Sequence, residues 1–237
     1  MKLFLILAES SLEPIPDEIR DHPAVRKSAR RRGKDPSELI LDRSVHHFAM
    51  GGLPNSGKRG RPDIVHMALL EALGSPLNKE GMLSLHVHTI GDMIIEVNPG
   101  VRLPRNYNRF LGLMEQLFAK GSITSASGEE LLGMRPGRIR DLLEALNPSM
   151  TLAFTRAGPP RTMKDCVREL ITRDRPAAII GGFPHGGFSG ETLGLADATA
   201  RIDRESLDAS IVASRLIYEF EGALGLHEKR IGDPDQA

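Results

Sequence analysis

Residues 150 to 182 constrain the fold most. "MTLAFT" and "AAIIGG" are short, continuously apolar runs, and the helical pattern "TMKDCVRELI" stands between them. A strand that is apolar on both faces must be buried on both, and strands alternating with helices make a parallel sheet covered above and below. "KLFLILA", residues 2 to 8, is a further run of this kind, followed by turn-compatible polar residues. The chain therefore reads as α/β. Its 237 residues can form one large domain carrying an excursion.

Other segments read less uniformly. Residues 21 to 48 are expected to be irregular and basic, with Pro23 and Pro36 interrupting any long helix. "PDIVHMALLEALG" has Pro in its first turn, an apolar face and Gly74 at its end, a well-punctuated helix. "MLSLHVHT" and "MIIEV" flank the turn "IGD" and predict a β-hairpin. "NYNRFLGLMEQLFAKG" predicts an amphipathic helix with Phe110, Leu113, Met114, Leu117 and Phe118 on one face. Residues 126 to 150 read as short helical pieces and loops. A last helix is expected over Arg204 to Leu224, with Asp203 as N-cap. It is nearly apolar all round from Leu207 to Tyr218, so it belongs in the core or at a subunit interface. The tail "HEKRIGDPDQA" is expected to fray.

Hydrophobic residues at 40% and charged residues at 26% are ordinary for a globular protein. No apolar run approaches the roughly 20 residues that cross a bilayer. "LFLILA" is too short, and too closely followed by acidic residues, for a signal or transit peptide, so a cytosolic protein without a membrane partner is expected. The single cysteine, Cys166, excludes an internal disulfide and reads as a core thiol on an amphipathic helix. Formal net charge is zero, but six basic residues fall within Arg26 to Lys34 and three more within Lys58 to Arg61. A locally basic face is compatible with that neutrality, and a solvated surface loop or helix explains the first run equally simply.

"GGLPNSGKRGRPD" sets Gly52, Gly57 and Lys58 at the spacing of a nucleotide-binding P-loop. Such a loop needs a buried strand before it, a magnesium-binding Ser or Thr after the Lys, and an immediate helix start. Here position 59 is Arg, Gly60 and Pro62 delay the helix, and "DRSVHHFAM" is too polar for a central strand. A nucleotide triphosphatase is disfavoured on these grounds and stays only as a third reading, which predicts magnesium-dependent nucleotide binding that Lys58→Ala abolishes. What remains is a flexible basic loop feeding a helix whose start is Arg61-Pro62-Asp63. The Asp can orient an outward guanidinium, or the pair can be an ordinary helix-start salt bridge.

"NPGVRLPRNYNRF" carries Arg102, Arg105 and Arg109 without interleaved carboxylates. Arg105 and Arg109, four apart, share a face if the helix has begun, and the set suits phosphate recognition, with solvated surface arginines as the plain alternative. "AAIIGGFPHGGFSGETLG" follows a buried strand with five glycines in ten residues, at 181, 182, 186, 187 and 190. It does not match the dinucleotide fingerprint and no helix follows it directly. The end of a parallel strand is nevertheless where α/β sheets bind ligands, so a cofactor pocket is expected. His86 and His88 share a strand face and His46 and His47 are adjacent, but none has ligand spacing with a third donor, so no metal is expected. His185 reads as a pocket-wall or loop residue.

"RGRPDIVHMALLEALGSPLNKEGMLSLHVHT", "IEVNPGVRLPRNYNRFLGLMEQL" and "IIGGFPHGGF", in this order and spacing, resemble the ribosomal small-subunit RNA pseudouridine N1-methyltransferases of the SPOUT, or α/β-knot, class. The resemblance covers most of residues 38 to 224 and is loose in the basic segment and in 125 to 150. It implies a single SPOUT domain over residues 1 to 237, with a parallel sheet, a family-specific hairpin and helix extension, a basic loop excursion at about 21 to 60, and a C-terminal trefoil knot binding cofactor at about 150 to 224. It implies S-adenosyl-L-methionine as cofactor and a homodimer. It also implies an rRNA hairpin containing pseudouridine as substrate, and ribosomal proteins as partners during assembly.

By motif, the resemblance makes Arg61 an RNA contact supported by Asp63, and Arg102, Arg105 and Arg109 the other RNA-binding arginines. Gly181 and Gly186 match cofactor-binding glycines. Ile202, Asp203, Arg204, Glu205, Ser206 and Leu207 occupy the place of the loop that holds the methionine and adenine, and Thr155 is a further cofactor contact. "IDRESL" lacks the Asn and Pro of eukaryotic members, so only backbone contacts carry over there. No general base is identified. Asp63 is a weak candidate because its pairing with Arg61 would blunt its basicity. An RNA-binding assembly factor with little or no turnover stays open as the alternative.

Overall fold

β1 (Leu3–Ser10) is buried at every position. Leu3, Leu5 and Leu7 face one apolar core, while Phe4, Ile6 and Ala8 face another on the opposite side of the sheet. Two cores on one strand explain the unbroken apolar run, since each successive side chain points to the other face. The computed structural model describes residues 1–232, and the end of the "HEKRIGDPDQA" tail lies outside them.

In chain order, β1 is followed by α1 (Pro23–Arg32), α2 (Arg43–His46), α3 (Pro62–Gly74), α4 (Pro76–Lys79), β2 (Leu83–Thr89), β3 (Met93–Val97) and α5 (Tyr107–Lys120). Then come β4 (Ser122–Thr124), β5 (Glu130–Pro136), α6 (Ile139–Leu146), β6 (Met150–Phe154), α7 (Met163–Leu170), β7 (Pro176–Gly181), α8 (Gly190–Gly194), β8 (Ala198–Ala200), α9 (Ala209–Ala223) and α10 (Leu226–Ile231). The strands form one sheet in the order β4-β5-β3-β2-β1-β7-β6-β8. β2, β1, β7, β6 and β8 run parallel, and β3, β5 and β4 extend that sheet antiparallel. α3, α5, α7 and α9 fill the first face, and α6 covers the second through Ile139, Leu142 and Leu143.

Four differences from the sequence reading have local causes. Residues 23 to 32, expected to be irregular, form a helix because Pro23 sits at its first position, where the lost N–H has no partner to miss. This helix and the segment up to Leu53 enclose a core of their own around Val25, Leu39, Leu41 and Met50. Residues 130 to 136 form a strand despite Gly133 and Pro136, because β3 presents an open edge that pairs with it. α9 begins at Ala209 rather than Arg204. The Asp203 carboxylate accepts from Glu205 N (2.9 Å), a tight local turn, and Asp208 takes the N-cap position. Finally, α9 is not buried on every side within the chain: Ile211 and Tyr218 are 41% and 63% exposed.

The six basic residues of 26 to 34 are also not a uniform solvated face. Arg32 and Lys34 donate to the buried Glu115 carboxylate of α5 (2.9 and 2.6 Å), tying α1 to the body of the protein. Cys166 is buried in the first core, and burial pushes its thiol up. Among the described residues no helix is long and apolar enough to cross a membrane.

Candidate functional site

The C-terminal ends of β6 and β7 and the loops that leave them enclose a cavity of about 350 Å³. This is within the roughly 300–1,000 Å³ typical of small-ligand sites. Phe154, Ile180, Leu207 and Val212 give it an apolar floor, while Thr155, Asp203, Glu205, Ser206 and Asp208 supply polar groups. Of the sequence-predicted cofactor residues, Thr155, Gly181, Gly186, Ile202, Asp203, Glu205, Ser206 and Leu207 all line it. Arg204 does not. Its side chain is 92% exposed and borders a shallower depression with Arg161 and Arg215, because the turn at Asp203 points it outward.

The Gly-rich loop requires its glycines at two places. Gly186 has φ +94°, a conformation that other residues resist. A Cβ on Gly182 would lie 2.1 Å from Ser10 Oγ, so the loop could not close onto the end of β1. That closure is made by backbone bonds, Ser11 N to Gly182 O (2.8 Å) and Gly182 N to Ala8 O (2.9 Å). A short helix, α8, does follow the loop, capped by Ser189, eight residues after β7 ends. His185 lines the cavity as expected. Phe183, Phe188, Arg156, Arg201 and Asp208 also line it and were not singled out. Only position after a buried strand could have marked Phe183, and nothing local marks Asp208.

The second half of the site is cationic. Arg61 and Asp63 form a bidentate pair, Nε to Oδ1 at 2.8 Å and Nη2 to Oδ2 at 2.7 Å, across Pro62 at the start of α3. The hydrogen bonds it donates to Asp63 raise the Arg61 pKa, and Asp208 and Tyr107 also act on it through space. Asp208 thus belongs to both halves, lining the cavity while lying near Arg61. Both oxygens of Asp63 are engaged by the guanidinium, which leaves it poorly placed as a base.

Arg102, Arg105 and Arg109 are all exposed, and none has a carboxylate partner among the described residues. The helix begins at Tyr107 with Asn106 as cap, so Arg105 lies before it, and the one-face argument for Arg105 and Arg109 does not hold. The backbone between them is fixed by another contact. His66 of α3 bonds the Pro104 carbonyl (2.7 Å) and stacks on Phe110 of α5 (4.1 Å, 13°). This holds the arginine segment against the helix that Arg61 begins. Tyr107 donates to Asp42 (2.7 Å), and burial and that bond push its phenol well above its usual range.

The P-loop-like residues turn out to be fastened rather than flexible. Alternate residues at the end of β1 and just beyond it hold them. Glu9 accepts from Lys58 Nζ (2.6 Å), Ser11 Oγ accepts from Arg61 N (2.8 Å), and Glu13 accepts from Arg59 Nε and Nη2 (2.8 and 2.6 Å). Lys58 and Arg59 therefore offer little to an outside phosphate, whereas the Arg61 side chain remains 41% exposed.

His46, His86 and His88 have local structural partners. His46 Nδ1 accepts from Asp42 N (3.0 Å), His86 bonds Ser84 (3.0 Å) and His88 bonds Asp92 (3.1 Å). Among the described residues no group of three or more His, Cys, Asp or Glu side chains is arranged to hold a metal ion.

A mixed sheet with a ligand cavity at the ends of its parallel strands, closed by a Gly-rich loop, is the frame of a ligand-binding α/β enzyme, and its likeness to known proteins makes it a methyltransferase. The chain belongs to the EMG1/NEP1 methyltransferase family, whose model matches residues 5–221. It is 46% identical over 224 residues to the ribosomal RNA small subunit methyltransferase Nep1 of Thermococcus kodakarensis, covering 94% of this chain and 100% of that one. It is also 46% identical to the protein of the same name from Staphylothermus marinus, over 92% of this chain and 94% of that one. A crystal structure of Archaeoglobus fulgidus Nep1 bound to S-adenosylhomocysteine superposes with a TM-score of 0.84 at 40% identity, covering 95% of this chain and 100% of that one.

Proposed function

We propose that this chain transfers the methyl group of S-adenosylmethionine to N1 of a pseudouridine in a small-subunit rRNA hairpin, as a cytoplasmic homodimer that meets ribosomal proteins during subunit assembly. The observation that carries the reading is a cavity of cofactor size at the ends of the parallel strands, with Asp208 in its lining acting electrostatically on the exposed Arg61. In this reading the cofactor lies against Thr155, Gly181, Gly186 and residues 202 to 207. The residues present suit it. The apolar floor accepts an adenine, the positive φ of Gly186 opens backbone groups to the ligand, and Asp203, Glu205 and Asp208 favour a cation. When bound, the cofactor supplies a methyl group on a positively charged sulfur, already activated for transfer.

The protein's own part is positioning. Arg61, held by Asp63, and Arg102, Arg105 and Arg109 grip the phosphates around the target, so that its base can be turned out toward the cavity. N1 gains the methyl group and gives up its proton, and the alignment of the two reactants supplies much of the acceleration.

In the proposed trefoil knot the segments around the cavity lie together. Arg201 N donates to Pro159 O (2.8 Å) and Arg161 N to Arg201 O (3.0 Å), so the loop after β6 and the segment after β8 run side by side. The homodimer is supported by the open face of α9 and α3, where Ile211, Tyr218 and Met67 are exposed.

Mass spectrometry of a pseudouridine-containing rRNA hairpin, incubated with the protein and isotopically labelled S-adenosylmethionine, tests the reading. One added methyl group on the pseudouridine and none on a uridine control is the expected result. Cofactor binding with no methylated product would favour the assembly-factor alternative, and no cofactor binding would defeat the enzyme reading.

A further inference from the structure

Lys58 lost its role when the P-loop reading failed, yet it occupies a constructed position. Its ammonium donates to Glu9 Oε2 at 2.6 Å and lies 4.3 Å from the centre of the Phe183 ring. Its stem crosses Gly186 so closely that a Cβ there would lie 3.3 Å from Lys58 Cε. The other oxygen of Glu9 accepts from Ser189 N (2.8 Å) and Thr192 Oγ1 (2.7 Å). Together the two side chains grip the Gly-rich loop at residues 183, 186, 189 and 192, from its first turn to the helix that ends it.

Two features separate this arrangement from an ordinary surface ion pair. Glu9 has φ +51°, a left-handed conformation that costs a non-glycine residue free energy and that surrounding contacts must hold in place. Its carboxylate is also buried. Burial pushes it up, but the bonds from Lys58, Thr192 and Ser189 outweigh that and hold it below the ordinary range, so it is charged at neutral pH. Neither Glu9 nor Lys58 lines the cavity, whereas Phe183 and Gly186 do.

We propose that Glu9 and Lys58 are positioning residues for cofactor binding, clamping the 183–192 loop in the shape that forms one wall of the cavity. The proposal rests on the reading of that cavity as the S-adenosylmethionine site. Lys58 lies three residues before Arg61 in a segment that Ser11 and Glu13 anchor independently. Loss of the clamp should therefore disturb the cofactor side and spare the RNA side.

The test uses Lys58→Met, Lys58→Arg and Glu9→Gln in the full chain. S-adenosylhomocysteine affinity is read by isothermal titration, hairpin affinity of the cofactor-free protein by fluorescence anisotropy, and folding by thermal melting. Lys58→Met should weaken S-adenosylhomocysteine binding about ten-fold, with hairpin affinity within about two-fold of the parent. Lys58→Arg should recover most of the loss, since it keeps the donors. In turnover, the KM for S-adenosylmethionine should rise while kcat at saturating cofactor stays near the parent value.

Unchanged S-adenosylhomocysteine affinity in Lys58→Met overturns the proposal. So does an equal loss of hairpin affinity together with a lowered melting temperature, which would mark a general structural role. If Glu9→Gln fails to fold, the two Lys58 variants decide alone. A parent chain that binds no S-adenosylhomocysteine overturns the cofactor reading itself, and this proposal with it.

Discussion

Arg61 has five N–H donors, and Asp63 engages one on Nε and one on Nη2, which orients the fork and leaves the rest free for a phosphate. Arg61→Ala should therefore lower hairpin affinity about ten-fold in an anisotropy titration, without changing S-adenosylhomocysteine affinity. Arg105→Ala should reduce the slope of log affinity against log salt by about one, the signature of one lost phosphate contact. An unchanged slope would remove Arg105 from the RNA interface.

A different residue sets an acid limit on the fold. Burial lowers the His86 pKa to about 4, so the unfolded chain takes up this proton first as pH falls below about 6.5. Stability is then fully present above that pH and falls by up to about 3 kcal/mol by pH 4. Urea unfolding of His86→Gln across this window should show a shallower decline than the parent. Parallel declines would refute the assignment.

At the scale of elements, the excursion that follows β1 is held by charges as much as by its small core. Glu115 is buried, and Arg32 and Lys34 reach it from the end of α1 and just beyond. Glu115→Ala should cost about 2 kcal/mol in urea unfolding, since two partly buried cations lose their partner but can turn to solvent. A change under about 0.5 kcal/mol would show the strap to be incidental.

The legibility of the elements follows the same division. α3 and α5 could be read to within a residue or two because their caps and periods are local. Pro23 was read as a breaker because position within a helix, not residue type, decides what proline does. β5 has no β-favouring pattern of its own, and only the open edge of β3 makes it a strand.

At the scale of the whole molecule, the exposed Ile211 and Tyr218 of α9 lie beside α3, which exposes Met67. If this face is the subunit contact, Tyr218→Asp should shift the protein toward monomer in analytical ultracentrifugation, because a carboxylate there would be buried without a partner. An unchanged dimer would move the interface elsewhere, and a monomeric parent would refute the dimer. The sequence reading left this helix in the core or at an interface. The structure packs its Leu216 and Phe220 inward and leaves Tyr218 exposed.

The sequence by itself determined the buried strands, the punctuated helices, the Gly-rich loop after β7 and the exposed arginines, because each is written in spacing over a few residues. It also disqualified the P-loop, since the missing hydroxyl at position 59 and the delayed helix are local facts. Only the tertiary structure decided where those parts meet. Lys58 reaches Glu9 across 49 residues, Thr192 reaches the same carboxylate across 183, and Asp208 comes to lie near Arg61. Such contacts leave no periodic trace along the chain. They arise because parallel strands far apart in sequence end side by side, and the loops leaving those ends share one small volume.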